Sequence, residues 1–233
     1  MKGRCAVSQF EALLDIVVAP EKVFAQLRQT PWWGLALSLY VAFKMLIVFT
    51  LIPFTMDTAE PTLRNRLFQG GLPAEQVERV IESQFHGPLR FVSSVNEGVK
   101  GAGGIGALGA LIWVSLVVFK GSASTVCFKS ALSVVSYASV PLVIGNLSVV
   151  VFALLGVPNY LNAAVSLQWI TSNILILSIA TFVDPFNLWM VGLIVIGNKV
   201  VFDIQTYQKS LLYLALPLAG FVSALSLFTW WAT

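Results

Sequence analysis

The sequence predicts an all-α fold: a polytopic membrane helix bundle with five transmembrane helices, a short amphipathic N-terminal segment and a helical extramembrane loop between helices 1 and 2. Three observations lead there. Charged residues make up 11% of the chain and apolar residues 57%, against roughly 25% charged in an average soluble domain. Several runs of about 20 residues carry almost no charge, the length that crosses a hydrocarbon core of about 30 Å as helix. These runs are continuous, whereas barrel strands alternate over segments of about ten residues. Inside a bilayer no water satisfies backbone groups, so helix is the remaining form.

Residues 1–33 read as a cytoplasmic amphipathic segment. Ser8 and Glu11 have capping-box spacing, and Phe10, Leu13, Leu14, Val17 and Val18 then share a helical face. Pro20 ends or kinks that helix, and Val23, Phe24 and Leu27 continue an apolar face beyond it. Two readings stand at this point: helices lying on the membrane surface, or helices packed on their own bundle. Ser8, Gln9, Glu11 and Asp15 interrupt the apolar core that a signal peptide needs, so no cleavable leader is expected. Trp32 and Trp33 follow as an interfacial belt.

Residues 34–231 form the transmembrane domain. Its first span is about 34–53 and has Lys44 near its centre. A charge at mid-membrane costs at least about 2.5–3.5 kcal/mol, so Lys44 is expected to face the bundle interior or a wet cavity. Asn146, in the third span, is a candidate to share that intramembrane polar site. Residues 54–97 are the polar outer loop, holding six of the eleven acidic residues. Within it Pro73 and Glu75 start a helix, Val77, Val80, Ile81 and Phe85 form its apolar stripe, and Glu75 is set to pair with Arg79. Glu78, Glu82 and His86 share a face but lack a second histidine to complete a metal site, so they read as a solvated acidic face.

The second span is about 98–119. Its opening matches a G-x-G-x-x-G string from Gly101 to Gly106, but no strand precedes it and no acidic residue follows at the required distance. Close helix packing is the better reading, with Ala102, Gly106 and Ala110 as the small face. The third span, about 131–156, carries Pro141 as an internal kink. The fourth, about 185–203, follows Asp184-Pro185, and the fifth, about 211–231, ends at Trp230-Trp231.

Charge sets the number of crossings. With five spans and the N-terminus inside, Lys2, Arg4, Lys22, Arg28, Lys120, Lys129, Lys199 and Lys209 lie on the cytoplasmic side. A sixth crossing at 165–183 would move Lys199 and Lys209 outside, against the positive-inside rule. That stretch is therefore read as re-entrant or interfacial, and the C-terminus as external. The net charge of +3 is dispersed between apolar runs and reads as topology, not nucleic-acid binding. Cys5 and Cys127 fall on the reduced, cytoplasmic side.

Three stretches, taken in order, resemble the Yip1 domain family in its bacterial form. The first is Pro20-Glu-Lys-Val-Phe24 with Thr30-Pro31-Trp32-Trp33. The second is Lys120-Gly121-Ser122, then Phe128-Lys129, then Ser136 to Pro141 with Tyr137. The third is Asp184-Pro185-Phe186-Asn187-Leu188-Trp189, with Gly192 and Gly197 after it. The resemblance implies five membrane helices, a cytoplasmic N-terminus and residence in a bacterial cytoplasmic membrane. It transfers no catalytic residues. The Asp-Leu-Tyr-Gly-Pro type motif of the eukaryotic members is absent, so GTPase binding is not carried over.

The function expected is that of an accessory or scaffold protein. Its partners are the lipid bilayer and other membrane proteins, an ABC-type exporter among them, or a second copy of itself. The alternative is a small transporter or channel with a polar path near Lys44, in the manner of discontinuous transporter helices. No enzyme and no cofactor is expected. The one histidine sits in the outer loop, neither cysteine has a neighbouring histidine, and no carboxylate lies at mid-membrane.

Overall fold

The computed structural model describes residues 9–51, 56–85, 88–120, 127–155 and 184–215. They form, in chain order, the helices α1 (Gln9–Val18), α2 (Pro20–Gln29), α3 (Gly34–Leu51), α4 (Met56–Gln69), α5 (Ala74–Phe85), α6 (Pro88–Lys120), α7 (Phe128–Ala138), α8 (Val140–Leu154) and α9 (Pro185–Val201). A further helical run covers 207–215. Among the described residues, three stretches are long and apolar enough to cross a membrane: Gly34–Leu51, Arg90–Phe119 and Phe128–Phe152. Pro185–Val201 is a shorter apolar helix. The segment 165–183, Ser8, His86 and most of the expected fifth span lie outside the described residues.

The helices begin and end for legible reasons. Pro20 occupies the first turn of α2, where its missing N–H costs nothing. Pro88 does the same for α6, and here the structure departs from the expected loop 54–97. α6 starts ten residues before the expected span and runs for 33 residues, about 50 Å. Its first turns carry Arg90, Ser93, Ser94, Asn96 and Glu97, which read as loop in sequence, but Ser94 and Gly98 are buried. The expected kink at Pro141 is a break between α7 and α8 at Ser139. Pro141 cannot donate to the carbonyl four residues back, and its ring crowds that turn.

The described residues fall into two compact parts. The first draws on 9–38, 103–120, 127–142 and 185–215. In it α2 packs on α7 and α9, and α1 packs on α2 and α7. Val23, Phe24 and Leu27 are fully buried, so the apolar face of α2 is covered by the protein's own helices. α1 behaves differently: Ala12, Leu13 and Ile16 are buried, while Phe10, Leu14 and Val18 stay exposed. The expected single apolar face of α1 is thus divided, because the helix is apolar on two sides and protein covers one.

Polar contacts fasten the same part along its rim. Lys22 Nζ donates to Asp15 Oδ2 at 2.8 Å, and that hydrogen bond raises the lysine's pKa above its ordinary value. Tyr207 Oη donates to Glu21 Oε1 at 2.7 Å, and Lys199 Nζ sits 3.6 Å over the Tyr207 ring. Arg28 pairs with Asp203 at 3.4 Å. Asp203 takes the left-handed conformation (φ 55°) that ends α9, with Ile204 N–H returning to the Lys199 carbonyl at 3.0 Å.

The second part draws on 39–51, 56–85, 88–102, 143–155 and 184. It contains a small helical hairpin, α4 and α5, with its own core of Val77 and Ile81 against Leu63, Leu67 and Leu72. Gly71 (φ 80°) turns the chain between the two helices. Its N–H returns to the Phe68 carbonyl at 3.0 Å, and that of Leu72 to the Leu67 carbonyl at 3.2 Å. This is the Schellman arrangement, and Leu67 and Leu72 on its two sides both pack against Val77 and Ile81. Arg64 closes the hairpin by bonding Glu60 at 2.9 Å and Glu78 Oε2 at 3.1 Å. The expected Glu75–Arg79 pair is formed along α5.

Candidate functional site

Lys44 lies on α3, half-buried. Its stem runs against α6: a Cβ on Gly101 would stand 3.7 Å from Lys44 Cγ and 3.0 Å from Tyr40 Cε1. Three residues earlier, Gly98 faces Met45, where a Cβ would lie 2.5 Å from the methionine Cγ. Two glycines thus let the backbone of α6 approach the lysine-bearing stretch of α3. Asn146 is half-buried on α8. No hydrogen bond or ion pair joins it to Lys44 among the described residues.

The small face Ala102, Gly106 and Ala110 is half-buried. A Cβ on Gly106 would meet nothing within 4 Å, whereas one on Gly109 would stand 3.4 Å from Leu132 Cα. Of the α6 glycines, Gly98, Gly101 and Gly109 are the ones with neighbouring helices close by. Each of the last two stands one residue before Ala102 and Ala110. Ile105, Ile112 and Leu116, all buried, decide which of several small-residue stripes faces protein.

The signature residues scatter over the first part and its edges. Lys120 ends α6, and Gly121 lies outside the described residues. Tyr137 is fully buried on α7 and Pro141 is buried on α8. Asp184 immediately precedes α9 and Trp189 lies in its first half, both half-buried.

One feature of the site escaped sequence reasoning. On α2, α7 and α9, four residues carry buried polar atoms with no hydrogen-bond partner among the described residues: Gln26 Oε1, Ser136 Oγ, Tyr137 Oη and both side-chain polar atoms of Asn198. Ser136, Tyr137 and Asn198 are fully buried. Each unmatched group costs about 1–3 kcal/mol, so apolar packing of these helices must offset it. Phe24, Val134 and Gly197 show how close that packing is: a Cβ on Gly197 would lie 2.7 Å from Val134 Cγ1 and 2.8 Å from Phe24 Cε1. The available signal was Gly197-Asn198 inside an otherwise apolar helix and Gln26 on the same stripe as Val23 and Leu27. Neighbouring serines do find partners, Ser133 on the Lys129 carbonyl and Ser210 on the Val195 carbonyl.

Glu78, part of the acidic face considered for a metal, is instead a partner of Arg64. The guanidinium holds the Glu78 carboxyl below its usual range by hydrogen bonding first and charge second. Glu78, Glu60 and Arg64 therefore form a structural clasp between α4 and α5.

Comparison with known proteins adds one match. The model of the Yip1 domain matches residues 14–228, from within α1 to beyond the described part of the last helical run. No curated protein and no solved structure matches the chain.

Proposed function

The chain belongs to the Yip1 domain family, and from that premise we propose a non-catalytic, multi-pass membrane protein that serves as an accessory or scaffold subunit of a membrane complex. An ABC-type exporter is the kind of complex favoured. In this reading the protein resides in a bacterial cytoplasmic membrane, with its N-terminus in the cytoplasm and its C-terminus outside.

The observation that carries the reading is the α4–α5 hairpin. It stands between two membrane spans, has its own small core, and is closed by a glycine turn and an arginine clasp. A connection that only joined two spans would need none of this. A folded module at this place in the chain supplies a rigid surface, and rigid surfaces lower the entropic cost of binding. Phe68 is 45% exposed on that surface, the kind of aromatic anchor that interfaces use. A tagged copy extracted in mild detergent is expected to carry a second membrane protein with it. Purification as a lone monodisperse species in several detergents would contradict the proposal.

A second reading rests on Lys44. A half-buried lysine within an apolar span, without an ion pair among the described residues, is functional by default, and supports a small transporter with Asn146 lining the same path. Proteoliposomes containing Lys44→Leu test it. Loss of a flux that the unaltered protein supports is the expected result, and unchanged fluxes remove this reading.

A further inference from the structure

Independently of the partner reading, we propose that α3 and α6 form a binding site for an anionic phospholipid, with Arg90 taking the phosphate and a groove taking an acyl chain. The groove has a volume of about 410 Å³ and is lined by Ala42, Met45, Leu46, Phe49, Phe91 and Ser94. The one polar lining residue, Ser94, is satisfied, since its hydroxyl donates to the Arg90 carbonyl at 2.9 Å. The wall therefore offers methylene-compatible surface and no competing polar group. From Ala42 to Phe49 the groove follows α3 for about 10 Å.

Arg90 is fixed at one end of this groove. Its Nε donates to the Phe49 carbonyl at 2.8 Å, Nη2 donates to the same oxygen, and the guanidinium lies 4.0 Å over the Phe49 ring. Two of its five N–H donors are used in this way. The other three have no acidic partner among the described residues, and a planar guanidinium fork matches phosphate oxygens.

The order of these groups matches a phospholipid. Arg90 is the first residue of the apolar stretch Arg90–Phe119, and Phe49 lies two residues from the end of α3. Both mark the same edge of the two spans. From that edge the groove leads inward, through Leu46 and Met45 to Ala42, towards the middle of α3. A cation at the membrane edge with an apolar channel below it fits a headgroup phosphate with its chain. Leu46, Phe49 and Phe91 are all exposed, so the groove opens onto the surface that faces lipid.

The test is native mass spectrometry of the full-length protein released from nanodiscs made with equal phosphatidylglycerol and phosphatidylcholine. The unaltered protein is expected to retain phosphatidylglycerol over phosphatidylcholine by about tenfold, since both offer Arg90 a phosphate but the choline ammonium of the second offsets the phosphate's charge and repels the guanidinium. Arg90→Gln should bring that ratio to parity. Ala42→Trp fills the groove with Arg90 intact and should remove the retained lipid altogether, which keeps the test informative if Arg90→Gln fails to fold. Excess inorganic phosphate should not displace the lipid. Equal retention of the two lipids, a preference that survives Arg90→Gln or Ala42→Trp, displacement by phosphate alone, or a second copy of the chain seated in place of lipid would each overturn the proposal.

Discussion

Gly197 on α9 faces Phe24 on α2 so closely that a Cβ there would lie 2.8 Å from the phenyl Cε1. Hydrogen is the only side chain that fits between these helices without movement. The contact joins the N-terminal helix pair to the helix that follows Asp184-Pro185. Gly197→Ala is therefore expected to destabilise by about 1–3 kcal/mol, the usual cost of overpacking. Thermal unfolding in detergent measures it. Adding Phe24→Leu makes room and should recover part of the loss, since contacting sites are not additive. Independent, additive effects of the two changes would contradict the contact.

Gly71 takes φ 80° between α4 and α5, a conformation that costs other L-residues about 1–2 kcal/mol. Gly71→Ala should loosen the hairpin by that amount and leave the spans intact. Amide exchange is the appropriate measurement: faster exchange confined to 56–85 is expected, and unchanged exchange there would rule out the turn.

The Arg64–Glu78 clasp carries a pH dependence of defined sign. Arg64 lowers the Glu78 pKa in the folded hairpin. The clasp therefore contributes fully above the unfolded carboxyl's value of about 4.3. Its contribution is lost as pH falls through the lower folded value. Protection of 56–85 should fall on acidification, and less steeply in Glu78→Gln. Because the groups are exposed, added salt should weaken the effect. Identical acid profiles for the two proteins would show that the pair does not act.

Lys44 and Asn146 are proposed to line one polar path. In Lys44→Cys with Asn146→Cys, a short thiol crosslinker applied to intact membranes is expected to join α3 to α8. Failure to crosslink, in a protein that retains its detergent stability, would separate the two residues and remove the pairing.

The membrane character of the chain and the positions of α3, α7–α8 and α9 were legible because uncharged length and proline position are one-dimensional signals. The early start of α6 was not. Arg90, Ser93, Ser94, Asn96 and Glu97 look like loop until Ser94 and Gly98 are seen to be buried. The close-packed side of α6 was hard to read for another reason. Between Gly101 and Ala110 eight of ten residues are Gly or Ala, so several small stripes compete, and only the placement of Ile105, Ile112 and Leu116 selects among them. The unpartnered polar groups were not legible because nothing in the order of residues separates a buried Ser136 or Asn198 from one that finds a partner. The exposed apolar row of α1 was legible as hydrophobicity, but not as the side that protein leaves uncovered.

The α4–α5 hairpin is proposed to receive another membrane protein. The most direct measurement places a photoreactive amino acid at Phe68, on the exposed side of that hairpin, in otherwise unaltered chains. After irradiation of intact membranes, the account predicts an adduct with one discrete membrane protein, lost when Gly71→Ala loosens the hairpin. Irradiation that yields only unmodified chain, or lipid adducts unaffected by Gly71→Ala, would contradict it.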